Sequence, residues 1–272
     1  MAPTPDEIRA HYASGYEAAR LESDDGPIER ERTRELLRRV LPPPPATILD
    51  VGGGPGGHAC WLAAQGHRVH LVDLVPVHVE MAREASAKQP KTPLASAEVG
   101  DARSLEAADQ SMDAVLLLGP LYHLTERSER SKALREASRV LRKGGTLAAA
   151  AISRFASALE GLRQGFLRDP EFAAIVERDL KEGQHRNPTG NPRYFMDTFF
   201  HHPDELRAEV EEAGFGEVAV YGIEGPGWLA PDVDGWWRDE TLRGRLLDLA
   251  RRLEREPALL GISSHLMAVA TR

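Results

Sequence analysis

The residues that say most about chemistry stand together, Ile48-Leu49-Asp50-Val51-Gly52-Gly53-Gly54-Pro55-Gly56-Gly57. An apolar run carrying one acid passes into five glycines interrupted by a single proline. Glycine lets backbone approach a ligand closely and adopt conformations closed to side chains, and so many in one loop would weaken a merely structural turn through chain entropy. Two cofactor patterns fit at once. Gly52, Gly54 and Gly57 satisfy the dinucleotide spacing G-x-G-x-x-G, whereas Asp50, Gly52, Gly54 and Gly56 satisfy D-x-G-x-G-x-G. Asp73, about 20 positions on, can accept both hydroxyls of an adenosine ribose and serves either cofactor.

Further chemistry-bearing groups lie at the end of a later apolar run, Leu116-Leu117-Leu118-Gly119-Pro120-Leu121-Tyr122-His123-Leu124. Gly119-Pro120 makes a tight exit that leaves Tyr122 or His123 facing a reacting centre. His123 is the candidate general base, since imidazole titrates near neutral pH, and Tyr122 is the candidate for shaping the pocket. Tyr12, Tyr16 and Arg20 fall at i, i+4 and i+8, on one face of a helix. Adjacent His201 and His202 diverge, and the single cysteine, Cys60, has no thiolate partner, so no metal site is expected.

These groups need elements to hold them. Helices are expected either side of the turn 23–27, the second over 28–41 and ended by four prolines at 42–45. Strands at 47–51, 68–72, 94–99, 114–118 and 146–152 alternate with helices at 58–65, 77–87 and 126–141, with a turn at Gly144-Gly145. Such alternation implies parallel crossovers and an α/β fold: a doubly wound, mostly parallel, seven-stranded Rossmann-like sheet. Two helices at 155–167 and 170–181 and an irregular stretch at 183–191 interrupt it. A helix at 203–213, a strand at 217–223, a helix at 236–254 and a strand at 264–270 complete it. The division is therefore an N-terminal helical flap (1–46), an α/β cofactor core (47–151), a helical lid insertion after the fifth strand (152–202) and a C-terminal completion of the sheet (203–272).

The composition is that of an ordinary globular chain: 272 residues, 34 basic against 42 acidic, net charge −8. Nothing resembles a secretory signal or a span of roughly 20 apolar residues, so a cytoplasmic protein without membrane insertion is expected. The acidic balance argues against nucleic acid as a partner. The excess acids fall in residues 1–46 (−2) and 203–272 (−6), while 47–151 and 152–202 each sum to zero. Electrically balanced active-site walls are the expectation.

Taken in order, these segments resemble the class I S-adenosylmethionine (SAM)-dependent methyltransferases over roughly residues 47–151, of the small-molecule type and similar to the ubiquinone/menaquinone methyltransferase group. Asp50 to Gly56 resembles their first motif, Asp73 their ribose-binding acid, and Gly100-Asp101-Ala102 the acid-containing turn that contacts adenine. Val140-Leu141-Arg142-Lys143-Gly144-Gly145-Thr146-Leu147 resembles their turn into the fifth strand. The resemblance implies SAM as cofactor, held by Asp50, Gly52, Gly54, Gly56, Asp73, Leu74, Gly100, Asp101, Ala102 and Leu118. Sulfonium chemistry agrees, because SAM has an amino-acid tail and no pyrophosphate, and Asp50 can accept the tail ammonium. The segment around Tyr122 departs from the Asn/Asp-Pro-Pro-Tyr of the adenine and glutamine N-methyltransferases, which disfavours that subclass.

The expected reaction is methyl transfer to an oxygen or nitrogen of a small molecule or short peptide by a monomer or homodimer, mainly through proximity. Arg154, His185, Arg186, Tyr194, Phe195, His201 and His202 are expected to line the acceptor lid, with Trp228 at a second rim. Alternatives are an NAD(P)-dependent oxidoreductase, resting on G-x-G-x-x-G alone, or a non-catalytic SAM-binding protein. By resemblance, the N-terminal helix closes over the cofactor, Tyr12 or Tyr16 covering the methyl group and Arg20 meeting a carboxylate. Deleting residues 1–22 should therefore weaken SAM binding in calorimetry, and unchanged affinity would remove the flap.

Overall fold

The computed structural model describes residues 26–272, so Tyr12, Tyr16 and Arg20 lie outside the described residues. Helix α1 (Gly26–Val40) ends just before the prolines. The chain then alternates through β1 (Thr47–Val51), α2 (Gly57–Ala64), β2 (Arg68–Asp73), α3 (Pro76–Ala87) and β3 (Ser96–Val99). It continues through β4 (Met112–Leu117), the single-turn α4 (Pro120–His123), α5 (Arg127–Val140) and β5 (Leu141–Ser153). After β5 come α6 (Ala156–Gln164), α7 (Pro170–Glu182), β6 (Gln184–His185) and β7 (Thr198–His201). The last third holds α8 (Pro203–Glu212), β8 (Gly216–Gly222), α9 (Val233–Arg238), α10 (Glu240–Leu253) and β9 (His265–Thr271).

The sheet is a mostly parallel α/β sheet in the order β3-β2-β1-β4-β5, with β9 antiparallel to β5 and β8 antiparallel to β9. Because both faces are covered, the central strands read as continuous apolar runs instead of alternating ones. Ile48, Leu49 and Val51 of β1, Ala114 to Leu117 of β4 and Leu147 to Ala151 of β5 are all buried. Two cores result. One joins Leu49, Val51 and Val115 to α5 and α8, and the other joins Ile48, Ala114 and Leu116 to α1, α2 and α3.

Three departures from the expected elements have physical causes. The Gly144-Gly145 pair forms a bulge inside β5: Met112 pairs with Leu141 but Ala114 with Thr146, and Gly144 absorbs the extra residues at φ 76°. The helix expected over 236–254 breaks at Asp239, whose carboxylate caps α10 by accepting from the Leu242 amide at 3.0 Å. The insertion is not purely helical. β7 extends the sheet beside the end of β5 (Ile152 with Phe200, Ser153 with His201), and β6 pairs with β7.

Two buried guanidinium groups fix the flanks. Arg130 of α5, 2% exposed, makes a bidentate pair with Glu209 of α8 (2.6 and 2.8 Å) and donates to the carbonyls of Leu124 and Thr125 at 2.9 Å. Its guanidinium also lies over the Phe199 ring of β7 at 3.7 Å. On the other side Arg32 of α1 donates to Glu254 (2.5 Å), Glu35 (2.7 Å) and the Ile223 carbonyl (3.1 Å).

Burial works against ionisation of Glu209, but the hydrogen bonds from Arg130 and His201 outweigh it and hold the carboxyl down to about 2. Its stabilisation is complete above the ordinary carboxyl range and is lost as pH falls from about 4.5 towards 2. Glu209→Gln, which leaves the buried guanidinium without its counter-charge, should cost of order 3 kcal/mol at pH 7. Denaturant titrations should find that cost shrinking between pH 4.5 and 2. A loss that does not change with pH would contradict this account.

Candidate active site

At the carboxyl ends of β1, β2 and β4 lies a cavity of about 520 Å³, where open α/β sheets bind ligands. Asp50, Gly52, Gly54, Asp73, Leu74, Gly100, Asp101, Ala102, Leu118, Tyr122 and His123 all line it. Gly56 does not. Its φ of 87° turns the chain into α2, and a Cβ there would stand 3.1 Å from Ala82 of α3, so this glycine serves helix packing.

Asp50 is 1% exposed, and its Oδ2 is buried with no hydrogen-bond partner among the described residues. Burial first, and the nearby Asp73 carboxylate second, push its carboxyl up to about 7. A buried carboxyl oxygen without a donor is costly, and a donor or cation arriving from the cavity side would relieve it. The glycine beside it keeps the approach open, since a Cβ on Gly53 would stand 2.9 Å from Oδ2 and 2.8 Å from Leu71. The residues present therefore fit an ammonium-bearing cofactor tail.

Asp73 joins the loops. Its Oδ2 accepts from the Gly54 amide (2.8 Å) and its Oδ1 from the Val75 amide (2.8 Å), with His78 Nδ1 at 3.2 Å. Its carbonyl accepts from the Gly100 amide at 3.0 Å, and the Val72 carbonyl accepts from Gly52 at 2.7 Å. The turns after β1, β2 and β3 are thus tied at one residue, the first two through its carboxylate and the third through its carbonyl. Asp101 is held by Arg103, which spans both carboxyl oxygens and also pairs with Glu129 at 2.7 Å. Burial raises the Asp101 carboxyl, but Arg103's side-chain and backbone hydrogen bonds leave it net below its ordinary range.

Tyr122 and His123 form the last turn of α4, their rings edge to face at 4.6 Å. The glycine loop and α4 abut. A Cβ on Gly52, whose φ is 71°, would stand 2.7 Å from two ring carbons of Pro120.

None of the residues expected to line an acceptor lid borders the cavity. Arg154 is buried in an ion pair with Glu205 and donates to the Phe200 carbonyl (2.9 Å). His185 bridges Asp179 (2.8 Å) and the Tyr194 carbonyl (2.7 Å), and the Tyr194 hydroxyl donates to Asp169 (2.6 Å). Arg186 donates to Gln184 (2.8 Å), Phe195 packs against Ile152, Ala156 and Phe200, and His201 lies 3.3 Å from Glu209. His202 caps α8, and Trp228 is buried with its Nε1–H donating to the Ile262 carbonyl at 2.8 Å. Their polar atoms hold the insertion and the C-terminal segment together.

Their place is taken by residues that no local motif singles out: Glu29, Arg30, Thr33 and Arg34 of α1, His58, Arg103, Glu126, Glu129, Ile223 and His265. Only the apolar periodicity of α1, burying Ile28, Leu36 and Leu37, hinted that its other face meets the site. Burial, then Arg34, pushes His58 down to about 4, which keeps it neutral. The walls are not balanced in charge, since six carboxylates line the cavity against three guanidinium groups.

The comparisons with known proteins agree with this fold. Residues 49–149 match the family model described as "Methyltransferase domain". A ubiquinone/menaquinone biosynthesis C-methyltransferase of Acidiphilium cryptum is 27% identical over 215 residues, covering 77% of this chain and 81% of that protein. A malonyl-[acyl-carrier protein] O-methyltransferase of Methylococcus capsulatus is 35% identical over 123 residues, 44% of this chain and 43% of its own. Solved SAM-dependent methyltransferases share the fold. One from Mesorhizobium loti has a TM-score of 0.58 at 18% identity, covering 92% of this chain and 98% of that one. One from Methanosarcina mazei has 0.57 at 19%, covering 87% and 96%. No helix among the described residues is long and apolar enough to cross a membrane. Residues 49–149 therefore form a methyltransferase domain, with SAM as its cofactor.

Proposed function

We propose that this enzyme transfers a methyl group to an oxygen or nitrogen of a small molecule or short peptide. The observation that carries the reading is the continuous cavity running from the unsatisfied Asp50 carboxyl past Gly119-Pro120 to Tyr122 and His123. In this reading Asp50 holds the ammonium of SAM, Asp73 its ribose, and Asp101 and Ala102 its adenine, with Leu74 and Leu118 as apolar walls. Bound SAM supplies an electrophilic methyl group on a sulfonium. The surplus of cavity carboxylates favours that positive charge. The chain's own contribution is alignment and exclusion of water, with removal of a proton where the acceptor carries one. Tyr122 and His123 touch the acceptor, and α1 stands where an insertion lid was expected.

Because the Asp50 carboxyl is raised from 3.8 to about 7, the empty protein loses stability as pH rises through that window, whereas an ammonium ligand requires the ionised form. SAM affinity should therefore rise between pH 6 and 8. Asp50→Asn should raise the apo melting temperature at pH 8 and weaken SAM about ten- to a hundredfold, the worth of a charge-assisted hydrogen bond. Calorimetry showing pH-independent affinity would overturn the assignment.

Acceptor contact is tested separately, with tritium-labelled SAM and the small-molecule fraction of a cell extract as acceptor pool. His123→Ala should lower label transfer more than SAM affinity. Equal loss of both would place His123 with the cofactor instead.

A further inference from the structure

His265 opens β9 beside the end of β5, paired with Ile152, and borders the cavity together with Glu29 of α1 and Ile223. Neither sequence spacing nor the family match, which ends at residue 149, assigns it a role. Its Nδ1 lies 2.6 Å from Oε1 of Glu224, which is 1% exposed, and 3.8 Å from Oε2 of Glu29. Glu224 is itself fixed. Its Oε2 accepts from the Ser263 hydroxyl (2.7 Å) and from the His265 backbone amide (3.0 Å), and Ser263 Oγ accepts from the amides of Glu224 and Gly225.

This is the arrangement that turns a histidine into a directed base. An ionised carboxylate only accepts, so Nδ1 carries the hydrogen and Nε2 is the basic nitrogen. The carboxylate also stabilises the imidazolium that forms when Nε2 takes a proton, without being protonated itself. Glu224, itself held by the Ser263 hydroxyl and the His265 backbone amide, fixes the ring through Nδ1, which is what an orienting group must do. Sheet order puts β9 beyond β4 and β5 from β1 and β2. The histidine therefore stands on the side of the cavity away from the ribose-binding acid, beyond the strand that leads to Tyr122 and His123.

We propose that His265, oriented by Glu224, is the group that takes the proton from the acceptor, and that the acceptor atom is accordingly a protic one, a hydroxyl or a neutral nitrogen. The bond between that atom and hydrogen breaks, and the hydrogen forms the Nε2–H bond of His265. The electron pair left behind forms the bond to the incoming methyl carbon as the carbon–sulfur bond breaks, its pair remaining on sulfur. The inference rests on the methyltransferase reading and refines which side chain receives the proton, a role sequence spacing alone gives to His123.

The test exploits the geometry of Glu224. In Glu224→Gln the side chain has one oxygen, which must stay towards the His265 backbone amide because that amide cannot accept. The amide NH₂ then faces Nδ1, which must become an acceptor, and the ring hydrogen moves to Nε2. Two-bond ¹⁵N–¹H NMR of the S-adenosylhomocysteine complex should show the Nδ1–H tautomer of His265 in the wild type and the Nε2–H tautomer in Glu224→Gln. An Nε2–H wild type, or a variant whose tautomer does not change, overturns the proposal. In the labelled-SAM assay His265→Gln should lose at least tenfold in transfer, while its SAM affinity by calorimetry stays within twofold. Transfer within twofold of wild type also overturns the proposal. A wild type that binds no SAM defeats the underlying reading instead, a result the NMR of the apo protein keeps separate.

Discussion

A carboxyl group buried at the end of a central strand, with one oxygen unsatisfied, is a standing debt of free energy. Asp50 occupies that position between apolar neighbours on β1, where burial alone favours its neutral form. The arrangement persists because the surrounding fold leaves the group no alternative: β1 is flanked in register by β2 and β4, and β1 cannot shift without moving every apolar residue of its faces. The glycine loop follows from the same constraint. A side chain at Gly53 would press against the unsatisfied oxygen.

Around this point the fold is fastened from both sides by arginines that lie deep in the protein. Arg130 and Glu209 bind α5 to α8 and hold the carbonyls of Leu124 and Thr125, just after the turn that carries Tyr122 and His123. Arg32 holds α1 to Glu254 and to the Ile223 carbonyl, one residue before Glu224. Both pairs are costly to desolvate and more costly to break. Their value here is positional, because each fixes one wall of the cavity relative to the sheet.

The legible part of the sequence was the part whose physics is local. Strands between turns, prolines ending α1, glycines at positive φ in the loop and an acid at the end of β2 are read from neighbours in the chain, and they led to most of the cavity's cofactor side. The acceptor side was not local. Glu29 and His265 are separated by most of the chain and meet only because β9 runs antiparallel beside β5 and Arg32 fixes α1. The residues singled out in 152–202 have the types of an active site, yet Arg154, His185 and His201 satisfy buried partners of their own fold. Charge misled for the same reason: balance counted along the chain disappears when α1 and the turns after β3 and α4 bring their carboxylates to one wall.

The contact between Gly52 and Pro120 joins two segments that the proposed reading gives to different molecules. With the proline ring filling the space a Cβ at Gly52 would need, the cofactor loop and the acceptor helix α4 share a single bearing surface and cannot be tuned independently. Selection for a new acceptor by reshaping α4 would displace the cofactor loop as well. Diversification of substrate is therefore easier on α1, where Arg30 borders the cavity and takes no part in that joint.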